Sequence, residues 1–249
     1  ASIDHDAGFS VFNLPFWDMQ LKAEVGQLNY HQYSIKKLDA ALRMTSNRYL
    51  HIDTCLMTIA GGDFDIQGYF NASDSNEIYF SPRFYAENVD IDKFMVKFDN
   101  FGQDYLVSDN LHGRINCGIK GKLHMHKDLT PMLDKSNFEI DLEVVNGRLE
   151  NYQPVAYLAD YFKDKNLNKI RFDTLQNIFK IDNNLLSIPV MTINSSLGFI
   201  ELWGEQRLDE VSSMDLFFKI PLKIVTKAVF QKLFKKQQEA VDLAQEDAI

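Results

Sequence analysis

Residues 138–145, Phe-Glu-Ile-Asp-Leu-Glu-Val-Val, alternate apolar and acidic side chains almost without a break. Successive side chains of a strand point to opposite sides, so Phe138, Ile140, Leu142 and Val144 share one face and Glu139, Asp141 and Glu143 the other. The same beat recurs in Trp17, Met19, Leu21, Ala23 and Val25, and again in Phe64, Ile66, Gly68 and Phe70. It returns in Ile119, Gly121, Leu123 and Met125, and in Met214, Leu216, Phe218 and Ile220. A chain patterned this way folds as antiparallel sheet with one apolar and one wetted face. That apolar face has to be covered by a second sheet, by the sheet's own curvature, or by an apolar ligand.

The chain has 249 residues, enough for one large β-rich domain or two ordinary ones. A hydrophobic share of 45% places it among folded chains, and its 19 phenylalanines suit strand faces better than helix cores. A net charge of −9 and a pI near 5.1 speak against nucleic acid as a partner, because phosphate binding needs a concentrated basic surface. No run approaches the ~18 apolar residues of a membrane-spanning helix, and no signal-peptide pattern is present. The sequence begins at Ala1 and reads as an excised or processed segment of a longer parent. Cys55 and Cys117 lack metal-type spacing; both sit in strand-like context, where buried free thiols are the plain reading and a single disulfide the alternative.

Strands are expected at 17–25, 28–34, 49–60, 63–71 and 77–86, with Gly61-Gly62 as a tight turn or bulge and Asn71 to Asn76 as a solvated loop. Ile91, Phe94, Met95 and Phe98 switch to helical spacing, with Asp90 available as cap. Strands follow at 112–126 and 137–145, and Asn146-Gly147 reads as a hairpin turn. Pro154 opens a second helix with Val155, Leu158, Ala159 and Phe162 on one face. Strands return at 168–181, 185–193, 198–207 and 213–221. From Leu222 a third helix carries the stripe Leu222, Val225, Val229 and Leu233, with Lys227, Lys232, Lys235 and Lys236 around it. The expected fold is therefore mainly β (α+β): a long, twisted antiparallel sheet curled into a groove, with about three helices packed at its edges. Residues 1–221 form the groove domain and 222–249 an amphipathic helix with a polar tail.

Glycines and turns at the strand ends follow a recognisable order. Gly61-Gly62 joins two strands, the second ending Gln67-Gly68; Leu111-His112-Gly113, Gly118 to Leu123 and Val145-Asn146-Gly147-Arg148-Leu149 come after a short helix. Gln153-Pro154-Val155, Leu185-Leu186-Ser187-Ile188-Pro189-Val190-Met191 and Leu202-Trp203-Gly204 complete the set. Over residues 17–221 this order resembles the segment that AsmA-family proteins carry near their C-termini. The resemblance implies a large envelope protein of Gram-negative bacteria, tethered to the inner membrane by an N-terminal helix with its bulk in the periplasm. It also implies a groove with an apolar floor for acyl chains, as in bridge-like lipid transfer proteins, and a role in phospholipid traffic towards the outer membrane. The family offers no catalytic residues to carry over. The usual N-terminal anchor is not in this sequence, so membrane attachment belongs to a longer parent.

Enzyme chemistry finds little to build on. His124-Met125-His126-Lys127-Asp128 matches the first half of a metallo-hydrolase HxHxDH pattern, but the sixth position is Leu129 and no histidine lies beyond 126. On a strand these histidines join Lys120 and Lys122 on the polar face, and three convergent ligands for a zinc-type site cannot be assembled. No GxSxG elbow, P-loop or GxGxxG is present, and Ser195-Ser196 sits in a turn with no base to activate it. Neither a cofactor nor a catalytic residue is expected. The expected function is non-enzymatic binding or conduction of phospholipid, or another acyl-chain ligand, in support of outer-membrane biogenesis. Phe64, Ile66, Leu123, Met125, Phe138, Ile140 and Leu142 are the candidate groove residues. The alternative is a scaffold or protein-docking β-domain with a closed core and no ligand, its partners being other envelope proteins.

Overall fold

The computed structural model describes residues 8–30, 33–97, 107–152, 167–208 and 214–219. A short 3-10 turn, Val11–Asn13, precedes β1 (Met19–Tyr30), β2 (Tyr33–Met44), β3 (Tyr49–Ile59), β4 (Gly62–Asp74) and β5 (Glu77–Asp90). Helix α1 (Ile91–Lys97) follows, then β6 (Leu111–Met125), β7 (Pro131–Glu150), β8 (Lys169–Asp182), β9 (Leu185–Ser195), β10 (Gly198–Arg207) and β11 (Met214–Lys219). The eleven strands form one sheet in strict chain order, every neighbour antiparallel. The result is an open, curled meander, mainly β as the alternating sequence requires, with pairings local in the chain.

Tight hairpins are set by residues that accept a left-handed backbone. Ile59 pairs with Gly62, and between them Ala60 (φ 51°) and Gly61 (φ 77°) make a two-residue turn with positive φ at both positions. That is the turn whose twist matches the flanking strands. Asn183 (φ 49°) and Asn184 (φ 64°) do the same between Asp182 and Leu185.

Several sequence expectations are corrected. The 28–34 strand does not exist as one element: Leu28 to Tyr30 end β1, and Tyr33 begins β2, which runs on to Met44. The Asn71 to Asn76 loop shrinks to a turn at Ser75-Asn76; Asn71 and Ala72 are buried in β4. Asn146-Gly147 is not a hairpin turn but lies inside the 20-residue β7. Asn146 (φ 53°) sits at a register shift against β6, where Arg114 pairs with Val145 and His112 with Arg148. The left-handed preference of Asn, which makes Asn-Gly a turn signal, is used here for a bulge. The described residues hold one α-helix, not about three. It is the helix expected after Asp90, whose carboxylate accepts a hydrogen bond from the Lys93 amide at 3.2 Å. The segments expected as helices from Pro154 and from Leu222 lie outside the described residues.

Two pieces of chain cover the ends of the apolar face. Val11, with Phe12 and Phe16, packs on Ala72, Ile78, Phe70 and Met125. The Val11 amide anchors this segment by donating to the Lys127 carbonyl at 2.8 Å. At the other end of the strands, Ile91 and Met95 of α1 bury against Val144, Leu142 and Ile115. Phe94 stacks on Phe64 at 5.9 Å, within a cluster that also holds Ile59, Ala86 and Val89. A third cap, Leu167 and Leu197 on Ile170 and Ile200, closes the region of β8–β10.

Candidate functional site

Register alone brings the seven candidate residues to one face. Phe64 and Ile66 pair with Ala86 and Phe84; Phe84 and Ala86 pair in turn with Ile119 and Cys117 of β6. Ile119, Gly121 and Cys117 then stand opposite Ile140, Phe138 and Leu142, while Leu123 and Met125 pair with Phe80 and Ile78. The structure divides the seven into two kinds. Phe64, Met125 and Leu142 are covered by α1 or by the N-terminal segment. Ile66, Leu123, Phe138 and Ile140 are half-buried and belong to none of the four packed clusters.

Between the caps the apolar face runs half-buried across the strands, and among the described residues no segment packs over it. The stripe extends further than the sequence candidates: Leu50 and Ile52 continue it on β3, Phe80 on β5, and Phe179 and Ile181, opposite Ile140 and Phe138, on β8. The alternation Phe179, Lys180, Ile181, Asp182 carries the signal for the last two; only the register shows that they adjoin Ile140. From β3 to β8 there are five strand spacings of ~4.8 Å, so the stripe is about 24 Å long. Its floor is shallow near Gly68, which pairs with Pro82 and has φ 145°. A Cβ at Gly68 would stand 2.3 Å from the Ser81 carbonyl oxygen.

The opposite face is built for water over β2–β7. Arg43 grips Asp53 with two hydrogen bonds of 2.6 and 2.7 Å, Lys120 meets Glu139 at 2.7 Å and Lys122 meets Glu77 at 2.8 Å. Hydrogen bonding from Lys122 and Lys120 holds the Glu77 and Glu139 carboxyls below the usual carboxylate range. Tyr49, Tyr69, Tyr79 and His124 stand ring against ring across β3–β6, with Lys122 Nζ 3.8 Å from the Tyr79 centroid. A depression of about 1000 Å³ lies mainly on this face, lined by seven carboxylates, Asp65, Glu87 and Asp141 among them, and by Lys37 and Lys120. So charged a lining suits water and ions, not an acyl chain.

His124 is on the strand beside Lys122, but His126 is in the turn after β6, where its amide donates to the Thr130 carbonyl at 2.9 Å. Among the described residues no group of three or more His, Cys, Asp or Glu is placed to hold a metal ion. None of their helices is long and apolar enough to cross a membrane. Both cysteines are free; Cys55 lies on β3 and Cys117 on β6. Three strand spacings of ~4.8 Å put them about 14 Å apart, beyond the ~7 Å that a disulfide can bridge. The chain matches no family model, no curated protein and no solved structure.

Proposed function

We propose that this protein is a non-enzymatic lipid-binding segment whose curled sheet forms a groove for acyl chains. The observation that carries the reading is the half-buried stripe through Ile66, Leu123, Phe138 and Ile140, apolar across the strands, covered by none of the described residues and walled at both strand ends by the chain's own caps. A bilayer's ~30 Å hydrocarbon core is two acyl chains thick, so a stripe of about 24 Å holds more than one tail's length. Contact over ~500 Å² would contribute ~12 kcal/mol gross, offset in large part by the entropy of association. The AsmA-like order of glycines and turns supports the same reading, and with it a periplasmic place, an inner-membrane tether in a longer parent and a part in phospholipid traffic to the outer membrane. Replacing Leu123 or Ile140 by Asp tests it. Both side chains stand outside the packed clusters, so the variants should fold and lose binding of a fluorescent fatty acid. Undiminished binding, or unfolding of both variants, would show that these residues belong to a closed core.

A second reading rests on the open sheet. β1 is an edge strand of 12 residues on which Met19 and Leu21 are 42% and 47% exposed. Such an edge is a template for another strand. A scaffold that docks protein partners would use it and leave the stripe empty.

A further inference from the structure

The second face is polar over β2–β7 but not at the β9–β11 end. Phe199 and Phe217 are 61% and 52% exposed there. Trp203 pairs with Phe217, and their rings stack at 5.6 Å with 12° between planes. Phe199 precedes Trp203 by an even number of residues on one strand and so shares its face. An exposed apolar patch of this kind marks a contact surface. Beside it Glu205 stands directly opposite Asp215. Facing like charges weaken a sheet, and on the same face Lys219 is bonded to Glu201 at 2.9 Å.

We infer that this patch is covered by the chain's own C-terminal stretch, residues 222–236. β11, which carries Phe217, ends at Lys219, three residues before Leu222, so the stretch is within reach of the patch. Leu222, Val225, Val229 and Leu233 recur at helical spacing and supply an apolar stripe to lie on Phe199, Trp203 and Phe217. Between 220 and 236 the chain has five lysines and no carboxylate, opposite in charge to Glu201, Glu205 and Asp215. The occupant is thus matched to the patch in polarity, charge and reach. The inference does not depend on lipid in the groove, which is on the other face.

Trp203 reports on it directly. The chain has two tryptophans, so Trp17→Phe leaves Trp203 as the sole indole signal. In that background Trp203 should be shielded from acrylamide in the full chain. Ending the chain after Lys219, or substituting Val225→Asp with Val229→Asp, should raise its quenching and shift its emission to the red while far-UV circular dichroism stays sheet-like. Added salt should weaken the shielding by screening the lysines. Equal quenching in the full chain and in the double variant overturns the inference. Shielding that appears only as sedimentation shows dimers assigns the patch to a second copy, and shielding only with phosphatidylglycerol vesicles assigns the stretch to a membrane; either result also overturns it.

Discussion

Cys117 faces Leu142 from the apolar side of β6, and burial, with the Asp141 charge behind it, pushes its thiol up to about 11. At neutral pH almost none of it is the reactive thiolate. Against an unperturbed thiol at 9.0 the thiolate fraction falls ~100-fold, so iodoacetamide should label Cys117 slower by about that factor. Labelling at the rate of an exposed cysteine would contradict its placement. Under non-reducing conditions both Cys55 and Cys117 should titrate as free thiols. Gly68 makes a different demand. Its φ of 145° and the Ser81 carbonyl 2.3 Å from an added Cβ leave no room for a side chain. Gly68→Ala should cost ~1–3 kcal/mol, read as a lower urea midpoint with unchanged slope. The sequence shows Gly68 as a gap in an apolar row, but not that β5 fills it, because the carbonyl that fills it belongs to another strand.

At the scale of elements, helix α1 is the piece most legible in advance. Its Asp90 cap appears as written, and Ile91, Phe94 and Met95 pack where the period requires, while Phe98, the fourth residue of the spacing, lies outside the described residues. Met95→Ala removes a buried side chain under which Val144 and Leu142 pack, and should destabilise by ~2–5 kcal/mol with a rise in hydrophobic-dye binding. Strand ends were harder to read, for a physical reason. Asn146-Gly147 signals a left-handed backbone, and whether that ends a strand or bulges it depends on partners far off in the chain. The Leu28–Tyr33 region fails similarly, since nothing in its mix of apolar and polar residues marks the end of β1 at Tyr30 or the start of β2 at Tyr33. On the polar face, Glu77 and Glu139 have carboxyls lowered chiefly by hydrogen bonds from Lys122 and Lys120. A lowered folded-state value stabilises above the ordinary carboxylate range and is lost as pH falls through the lowered one. Melting temperature should therefore drop on acidification below about pH 4, and Lys122→Gln should flatten part of that drop. A pH profile that Lys122→Gln leaves unchanged would show the pair with Glu77 to be idle, which is the ordinary fate of exposed ion pairs.

For the whole molecule, one face apolar and one wetted was written plainly in the period-2 pattern, and the antiparallel meander follows from it. The seven candidate residues do share a face, yet the sequence could not separate those under the caps from those that none of the described residues cover. That division depends on where Val11 and α1 land, and both arrive from outside the strands they cover. Nor could alternation show that β10 and β11 turn apolar on the outer face, because Trp203 and Phe217 count as outside residues only once their register is known. We propose that the apolar stripe holds acyl chains. Native mass spectrometry after mild purification tests it most directly, comparing the parent protein with Ile140→Asp. A phospholipid adduct on the parent chain, lost in a folded Ile140→Asp variant, is the expected result; a bare chain even after incubation with phospholipid micelles, or an adduct that Ile140→Asp leaves in place, would contradict it.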